Sequence, residues 1–395
     1  MRQRVAITGL GIVSAIGNCV NEFADSLFAP KAGIHPITLF NTKGFPVKSA
    51  AEIRNFGPFT YPDRKVAYAA RAITEAIAQS FGENGVPREK VTVLSLGLKH
   101  NFVSFPEMVS ANFITIGPDE CAQQISKAAG IQASPWIYTA ACTASTVAIG
   151  TAARAVADGE IDVAIAGGTS SCVSPEWLLT YALMGALNTD ANCAAETACR
   201  PFDRNRTGMI LGEGAGFLIL ERESSARARN APVLARICGF GSSLDAYHVS
   251  DPCPDGAGAL SAMNAALKDA RINPEDLSAI NAHATGTLKN DSAEAAAIRR
   301  LLDGVSHETP VFATKPFTGH LLAASGAVET IAVVSCLTQQ KLHPTLNLVD
   351  VASDCKLNHV LKNRHLPLRY ILKNSFGFGG QNACMVLEKG DSLDE

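Results

Sequence analysis

Residues 138–168 read YTAACTASTVAIGTAARAVADGEIDVAIAGG. A short extended segment gives way at Cys142 to an Ala-rich run, from about Thr143 to Asp158, with helical composition. Gly159 supplies the stop, and Asp162–Gly168 is an aliphatic run closing on a glycine pair. This strand–helix–strand order predicts a layered α/β architecture. Working outward, Val5–Gly9, Val91–Gly97 and Ala215–Leu220 read as further buried strands bounded by turn residues. Between them, Asp63–Phe81 reads as a helix: Asp63 can cap it, Val66, Ala70, Ile73 and Ile77 share one face, and Gly82 follows.

A second half begins near Pro232. Val233–Gly241 (VLARICGFG) is similar to the opening VAITGLGIV, a strand running into a glycine-containing turn. Ala257–Arg271 and Asp291–Leu302 read as helices, and Leu277–Ala282, Thr309–Thr314 and Asn382–Glu388 as strands. Leu321–Leu337 has the composition of a buried helix with Glu329 as its one charge. The pattern predicts two like halves, residues 1–231 and 232–395, from a duplicated α/β unit.

The 395 residues are 47% hydrophobic and 18% charged, below the roughly 25% charge of an average globular chain. A large core and a dimeric or higher state are expected. Net charge is −3, and no basic block is present, which argues against nucleic-acid binding. Eleven cysteines without CxxC spacing fit free thiols in a reducing compartment. The apolar stretch Val5–Ile16 behind Arg2 and Arg4 is broken by Thr8, Gly9 and Gly11, unlike a signal peptide. No run approaches the roughly 20 uninterrupted apolar residues of a membrane span. A soluble, cytoplasmic protein is expected.

Four places carry chemistry. Cys142 lies where the extended segment meets a helix N-terminus, whose free N–H groups and dipole favour thiolate, though a small buried cysteine is the plain alternative. His283 ends a predicted strand in His283-Ala284-Thr285-Gly286-Thr287, where it is either a site residue or a structural hydrogen-bonder. Lys315-Pro316-Phe317-Thr318-Gly319-His320 precedes the apolar helix with Glu329; this points to a buried ionic network around a second histidine, or to a structural ion pair. Asn374-Ser375-Phe376-Gly377-Phe378-Gly379-Gly380 combines close-approach glycines with phenylalanines able to wall an acyl pocket, or is only a tight turn. Gly212-Glu213-Gly214-Ala215-Gly216 reads as a packing turn. Gly9-Leu10-Gly11 fails as a dinucleotide fingerprint because Ser14 replaces its third glycine. Without a Walker lysine motif or metal-ligand spacing, no prosthetic group or metal is expected.

Taken in order, Cys142, His283, Lys315, His320 and the Phe-Gly-Phe-Gly-Gly loop resemble the elongating β-ketoacyl-acyl carrier protein synthases, decarboxylating condensing enzymes of the thiolase superfamily. Arg200-Pro201-Phe202-Asp203, Arg206, Gly208 and the Gly212–Gly216 motif extend the likeness over nearly the whole chain. The resemblance implies a thiolase-type five-layer α-β-α-β-α sandwich made of two similar halves and acting as a dimer. It implies that Cys142 takes an acyl group from a carrier-protein thioester, with the backbone N–H groups of Cys142 and Phe378 as oxyanion hole. His283 and His320 would stabilise the enolate formed when malonyl-carrier protein loses carbon dioxide. Lys315 and Glu329 would form a charged pair orienting His320 and its surroundings.

By the same resemblance, Thr285 and Thr287 hold the phosphopantetheine arm carried by acyl carrier protein, Phe378 gates the pocket with Phe376 nearby, and Phe202 belongs to the substrate-binding set. The pathway is fatty acid, type II polyketide or polyene synthesis, as a homodimer or beside a related synthase-like subunit. Pro316, Ala323 and Ser325 depart from the usual pattern, and only a short stretch, Lys99 to Tyr138, joins the Val91–Gly97 strand to the cysteine turn. That departure leaves chain-length preference open. The competing readings are a thiolase-like condensation without decarboxylation and a non-catalytic chain-length partner.

Overall fold

The computed structural model describes residues 3–57, 61, 63–90, 92–99, 116–132, 135–190, 192–305 and 308–391. Its main strands are β1 (Val5–Val13), β2 (Thr92–Gly97), β3 (Pro135–Tyr138), β4 (Val163–Ser170), β5 (Gly214–Arg222), β6 (Ala235–Leu244), β7 (Leu277–Asn281), β8 (Val311–Phe312), β9 (Tyr370–Gly377) and β10 (Gln381–Lys389). Six helices build the layers: α1 (Arg64–Phe81), α2 (Pro118–Ala128), α3 (Ala144–Asp158), α4 (Ala257–Ala270), α5 (Leu288–Leu301) and α6 (Ser325–Gln339).

The strands follow the order β8-β7-β9-β10-β6-β1-β5-β4-β2-β3. Read outward from the centre, the two halves match. The first strand of each half (β1, β6) pairs antiparallel with its last strand (β5, β10), which pairs antiparallel with the next (β4, β9). Two parallel pairings then lead to the edge. The halves meet where Val5, Ala6 and Ile7 pair antiparallel with Ile237, Arg236 and Ala235. Helices α1 and α2 pack outside the first half and α4 and α5 outside the second, with α3 and α6 between them. This is the expected thiolase-type five-layer sandwich, although the two sheets touch edge to edge over three residue pairs.

Local sequence explains these elements. Asp63 caps α1 by accepting the Lys65 N–H at 3.1 Å, and Gly82 leaves it at φ +67°. Gly159 takes the left-handed conformation after α3 at φ +80°. Gly11 in β1 is a packing residue: a Cβ there would lie 1.7 Å from the Ala72 carbonyl oxygen of α1. Helix α6 together with the turn before it, Leu322–Gln339, is apolar enough to satisfy composition rules for a membrane span, with mean hydropathy 1.3. It is instead the central core helix, 89% of that window being buried within the protein.

Some boundaries differ from the sequence reading. The expected Thr309–Thr314 strand pairs only over Val311–Phe312. Strand β9 runs to Gly377, so half of the presumed Asn374–Gly380 loop is ladder, with the turn confined to its end. Gly214–Gly216 is likewise strand rather than turn. Helices Val20–Phe28, α2 and Pro175–Leu183 had no counterpart in the sequence reading. Between Lys99 and Tyr138, residues 100–115 and 133–134 lie outside the described set, and the remainder holds α2 and β3. All eleven cysteines are free.

The close approach of β1 and α1 yields a paired test. Gly11→Ala forces backbone apart and is expected to cost about 1–3 kcal/mol by urea unfolding. Gly117→Ala meets nothing within 4 Å and loses only a preferred N-cap of α2, so its cost should stay below about 1 kcal/mol.

Candidate active site

Cys142 occupies a 3₁₀ turn, Ala141–Thr143, that feeds into α3. Ala141 holds φ +47°, a left-handed conformation costly for a residue with a Cβ. An equivalent turn, Leu322–Ala324, feeds into α6, and there Leu322 holds φ +51°. The two turns touch across the junction of the halves. Cys142 lines a cavity of about 270 Å³ together with His283, His320, Thr285, Thr287, Phe376 and Phe378. The sulfur and both imidazoles, 141 and 178 positions apart from it in sequence, therefore face one space.

The helix-N-terminus argument predicted a thiolate. Burial reverses it: desolvation pushes the Cys142 thiol above its ordinary value, opposed by the Lys99 and Lys315 ammonium groups and the Phe378 N–H. Cys142 thus rests as a thiol, to be deprotonated during attack. Gly377 brings β9 close to it; a Cβ there would sit 3.2 Å from the Cys142 nitrogen.

The two imidazoles stand edge to face, centroids 5.3 Å apart at 82°. His283 Nδ1 is 3.1 Å from the Lys315 ammonium, which is a donor, so that ring nitrogen accepts and Nε2 carries the proton. His320 Nδ1 accepts the Leu322 N–H at 3.3 Å and lies 2.8 Å from the Ser325 hydroxyl. Its proton is also on Nε2. Burial first, and the Lys315 charge second, push both rings well below the usual histidine range. The site holds two neutral N–H donors.

Lys315 does not orient His320 as expected. Its hydrogen bonds go to Nδ1 and the carbonyl oxygen of His283 and to Glu329. The physical reason is position: Lys315 starts a short helix behind the His283 strand end, while His320 is held by its own turn. Glu329 is shared by a second cation, Lys373 of β9, at 3.4 Å. Burial lowers Lys373 to about 8, with Glu329 opposing the shift. Lys373 also donates to Thr146 of α3 at 2.8 Å and to Ser375, so one ionic cluster joins α3, α6 and β9. The sequence reading missed Ser325 as a partner of His320 and missed Lys373 altogether. Ser325 was visible only as a departure from a pattern, and Lys373 as one residue before the Asn374 motif.

Backbone geometry around His283 is fixed by Glu294 of α5, whose carboxylate accepts the N–H groups of His283 and Ala284, both at 2.8 Å. Desolvation raises Glu294 to about 7. Ala284 holds φ +46°. Thr285 and Thr287 meet through their hydroxyls at 2.9 Å on the cavity wall. The Arg200–Gly208 motif props up this loop: Arg206 donates to the Thr287 and Leu288 carbonyls, and Gly208 donates to Gly286 at 3.0 Å. Phe376 packs on His283 at 5.8 Å, and Phe378 on Tyr181 at 6.0 Å. Phe202 does not belong with them. It is fully buried against His359 in the core of the second half, away from the cavity lining, with its N–H bound to Asp291. Among the described residues, no cluster of His, Cys, Asp and Glu could hold a metal.

A buried thiol and two neutral imidazoles between like halves of a thiolase-type fold define an acyl-transferring condensing enzyme. The chain belongs to the beta-ketoacyl synthase family, whose N-terminal domain matches residues 2–226 and whose C-terminal domain matches residues 234–349. It is 36% identical over 410 residues to 3-oxoacyl-[acyl-carrier-protein] synthase 2 of Coxiella burnetii, covering 98% of this chain and 99% of the relative. The protein of that name from Staphylococcus aureus (strain COL) is 35% identical over 409 residues, covering 98% of each. Among solved structures, the ishigamide ketosynthase/chain length factor superposes with TM-score 0.88 at 29% identity, covering 98% of this chain and 100% of that one. A chain of the AntDE:AntF complex, described as a type II polyketide synthase acyl-carrier protein with its ketosynthase, gives 0.87 at 26% identity, covering 98% and 100%.

The depressed imidazoles make stability pH-dependent. Below about pH 6.5 the unfolded chain takes up protons that the folded rings refuse, so stability present at pH 7 is lost as pH falls. His283→Asn and His320→Asn should each flatten the stability slope between pH 6.5 and 5 by up to about 1.4 kcal/mol per pH unit, read by urea unfolding. A variant that keeps the wild-type slope would mean its ring titrates normally.

Proposed function

We propose that the enzyme catalyses decarboxylative Claisen condensation between an acyl group on Cys142 and malonyl-acyl carrier protein. The observation that carries this reading is the pair of neutral imidazoles, each with Nδ1 occupied, facing the same cavity as the thiol. In the first step the Cys142 sulfur attacks the carrier thioester, and the thiol proton leaves with the carrier sulfur. The tetrahedral oxyanion is held by the N–H groups of Cys142 and Phe378. In the second step the malonyl C–C bond breaks and carbon dioxide departs. The electron pair becomes an enolate whose oxygen receives the two Nε2–H bonds. Its carbon then attacks the Cys142 thioester, expelling thiolate, which takes up one proton. The product is a β-ketoacyl-carrier protein two carbons longer.

Neutral imidazoles suit this step because the developing charge needs donors, whereas a general base would serve the thiolase-like alternative. Thr285 and Thr287 hold the phosphopantetheine arm and Phe378 gates between acyl and malonyl ends. The carrier brings that arm, so the protein needs no cofactor of its own. The reading includes division of the chain into halves 1–231 and 232–395, cytoplasmic location, acyl carrier protein as partner, and a dimer with itself or a related subunit, in fatty acid or polyketide synthesis.

His283→Ala and His320→Ala should keep acyl transfer to Cys142 within about tenfold of wild type while lowering carbon dioxide release from malonyl-carrier protein by roughly 10²-fold or more. Cys142→Ala should abolish condensation. Mass spectrometry of Cys142 adducts, with carbon dioxide measured in parallel, separates the steps. A histidine variant that loses transfer alone would reverse the assigned roles. Ser325→Ala should lower decarboxylation about tenfold through His320, an effect of one positioning hydrogen bond, with adduct formation retained.

A further inference from the structure

Lys99 follows β2 and is not used in the chemistry above. Its ammonium lies 3.5 Å from the centroid of the Trp177 ring and 4.2 Å from that of Tyr181, and it donates to the Tyr181 hydroxyl. Among the described residues, the titratable groups that bear on it are Cys172, Cys142, His320 and Tyr181; no carboxylate does. Cys142, Cys172, Trp177, Tyr181, Leu322 and Phe378 belong to one apolar cluster. A half-buried ammonium therefore stands in apolar surroundings beside the nucleophile, stabilised by two ring faces and one hydroxyl.

An acyl chain on the Cys142 sulfur has two directions available. One is the cavity bounded by His283, His320 and the two threonines, where the malonyl unit must sit. The other is toward the apolar cluster containing Trp177 and Tyr181, which shares Cys142, Ala186, Met209 and Phe378 with the cavity wall. A hydrocarbon lying there would strip water from the ammonium and offer it nothing, which is costly. Among the described residues, Tyr181 takes one of its three N–H donors and two are left for a ligand. An oxygen on the chain would accept them while the rings contact the carbon skeleton.

Building on the condensing reading, we propose that Lys99 is a specificity-determining residue that selects acyl groups bearing an oxygen acceptor, a carbonyl or hydroxyl, over plain alkyl groups of equal length. The interaction is made to the chain and is read at the loading step, while the Lys99 charge also bears on His320.

The test uses wild-type protein, Lys99→Met and Lys99→Arg with N-acetylcysteamine thioesters of an eight-carbon acyl group. One is unsubstituted and others carry a single keto group at carbon 3, 5 or 7. Loading of Cys142 is followed by intact-protein mass spectrometry, and Cys142→Ala shows which adducts are specific. Wild type should load at least one keto chain about 10- to 100-fold more efficiently than the alkyl chain, the factor expected of a hydrogen bond to a charged group. Lys99→Met should bring the ratio to about one, and Lys99→Arg should retain part of it. Equal loading of all chains by wild type, or a preference that survives in Lys99→Met, overturns the Lys99 assignment and leaves the condensing reading standing. Wild type that forms no Cys142 adduct with any chain overturns both.

Discussion

Glu329 sits in the middle of the central helix layer with an ammonium on either side, Lys315 and Lys373, all three fully buried. A carboxylate between two cations leaves a net positive charge in the core. Taking one partner from a buried pair costs about 3–5 kcal/mol because the remaining charge is stranded. The cluster is therefore poor as plain stabilisation and effective as a fixture. It ties α3, α6 and β9 together and places a cation behind His283. Burial first, and that cation second, keep the neighbouring rings from protonating, which the enolate chemistry requires.

Strain is concentrated beside the reacting groups. Ala141, Ala284 and Leu322, none of them glycine, all hold positive φ next to Cys142, His283 and His320. Each is pinned by surroundings that leave little choice, such as the Glu294 carboxylate that takes two successive N–H groups at the His283 turn. Conformations worth roughly 1–3 kcal/mol apiece survive only where packing over-determines them. The molecule spends core stability on aiming three side chains at one point.

The layered fold and its duplication were legible because buried strands leave aliphatic runs and helices leave caps, as at Asp63 and Gly82. Cys142, His283 and His320 were legible as polar residues at the ends of such runs. Phe202 was misassigned because a motif shared by a family marks structural props as well as contacts; the surrounding Arg200–Gly208 segment supports the Thr285 loop from behind. Lys373, Ser325 and Lys99 escaped for a different reason. Each acts through a partner far away in the chain, and nothing local separates a buried lysine in a ladder from a solvated one. The direction of the Cys142 shift escaped likewise, since a helix N-terminus can be seen in sequence and depth of burial cannot.

The matching turns at Ala141–Thr143 and Leu322–Ala324 show that a symmetric scaffold carries unlike chemistry. In the first half the residue after the strained position is a cysteine; its counterpart in the second half is Ala323, and there the turn instead lends a backbone donor to His320. Two copies of one socket have been fitted with different tools, a nucleophile in one and a tautomer lock in the other. Because the sockets abut, any shift of one central helix moves both tools together, and their alignment survives as a property of the pair.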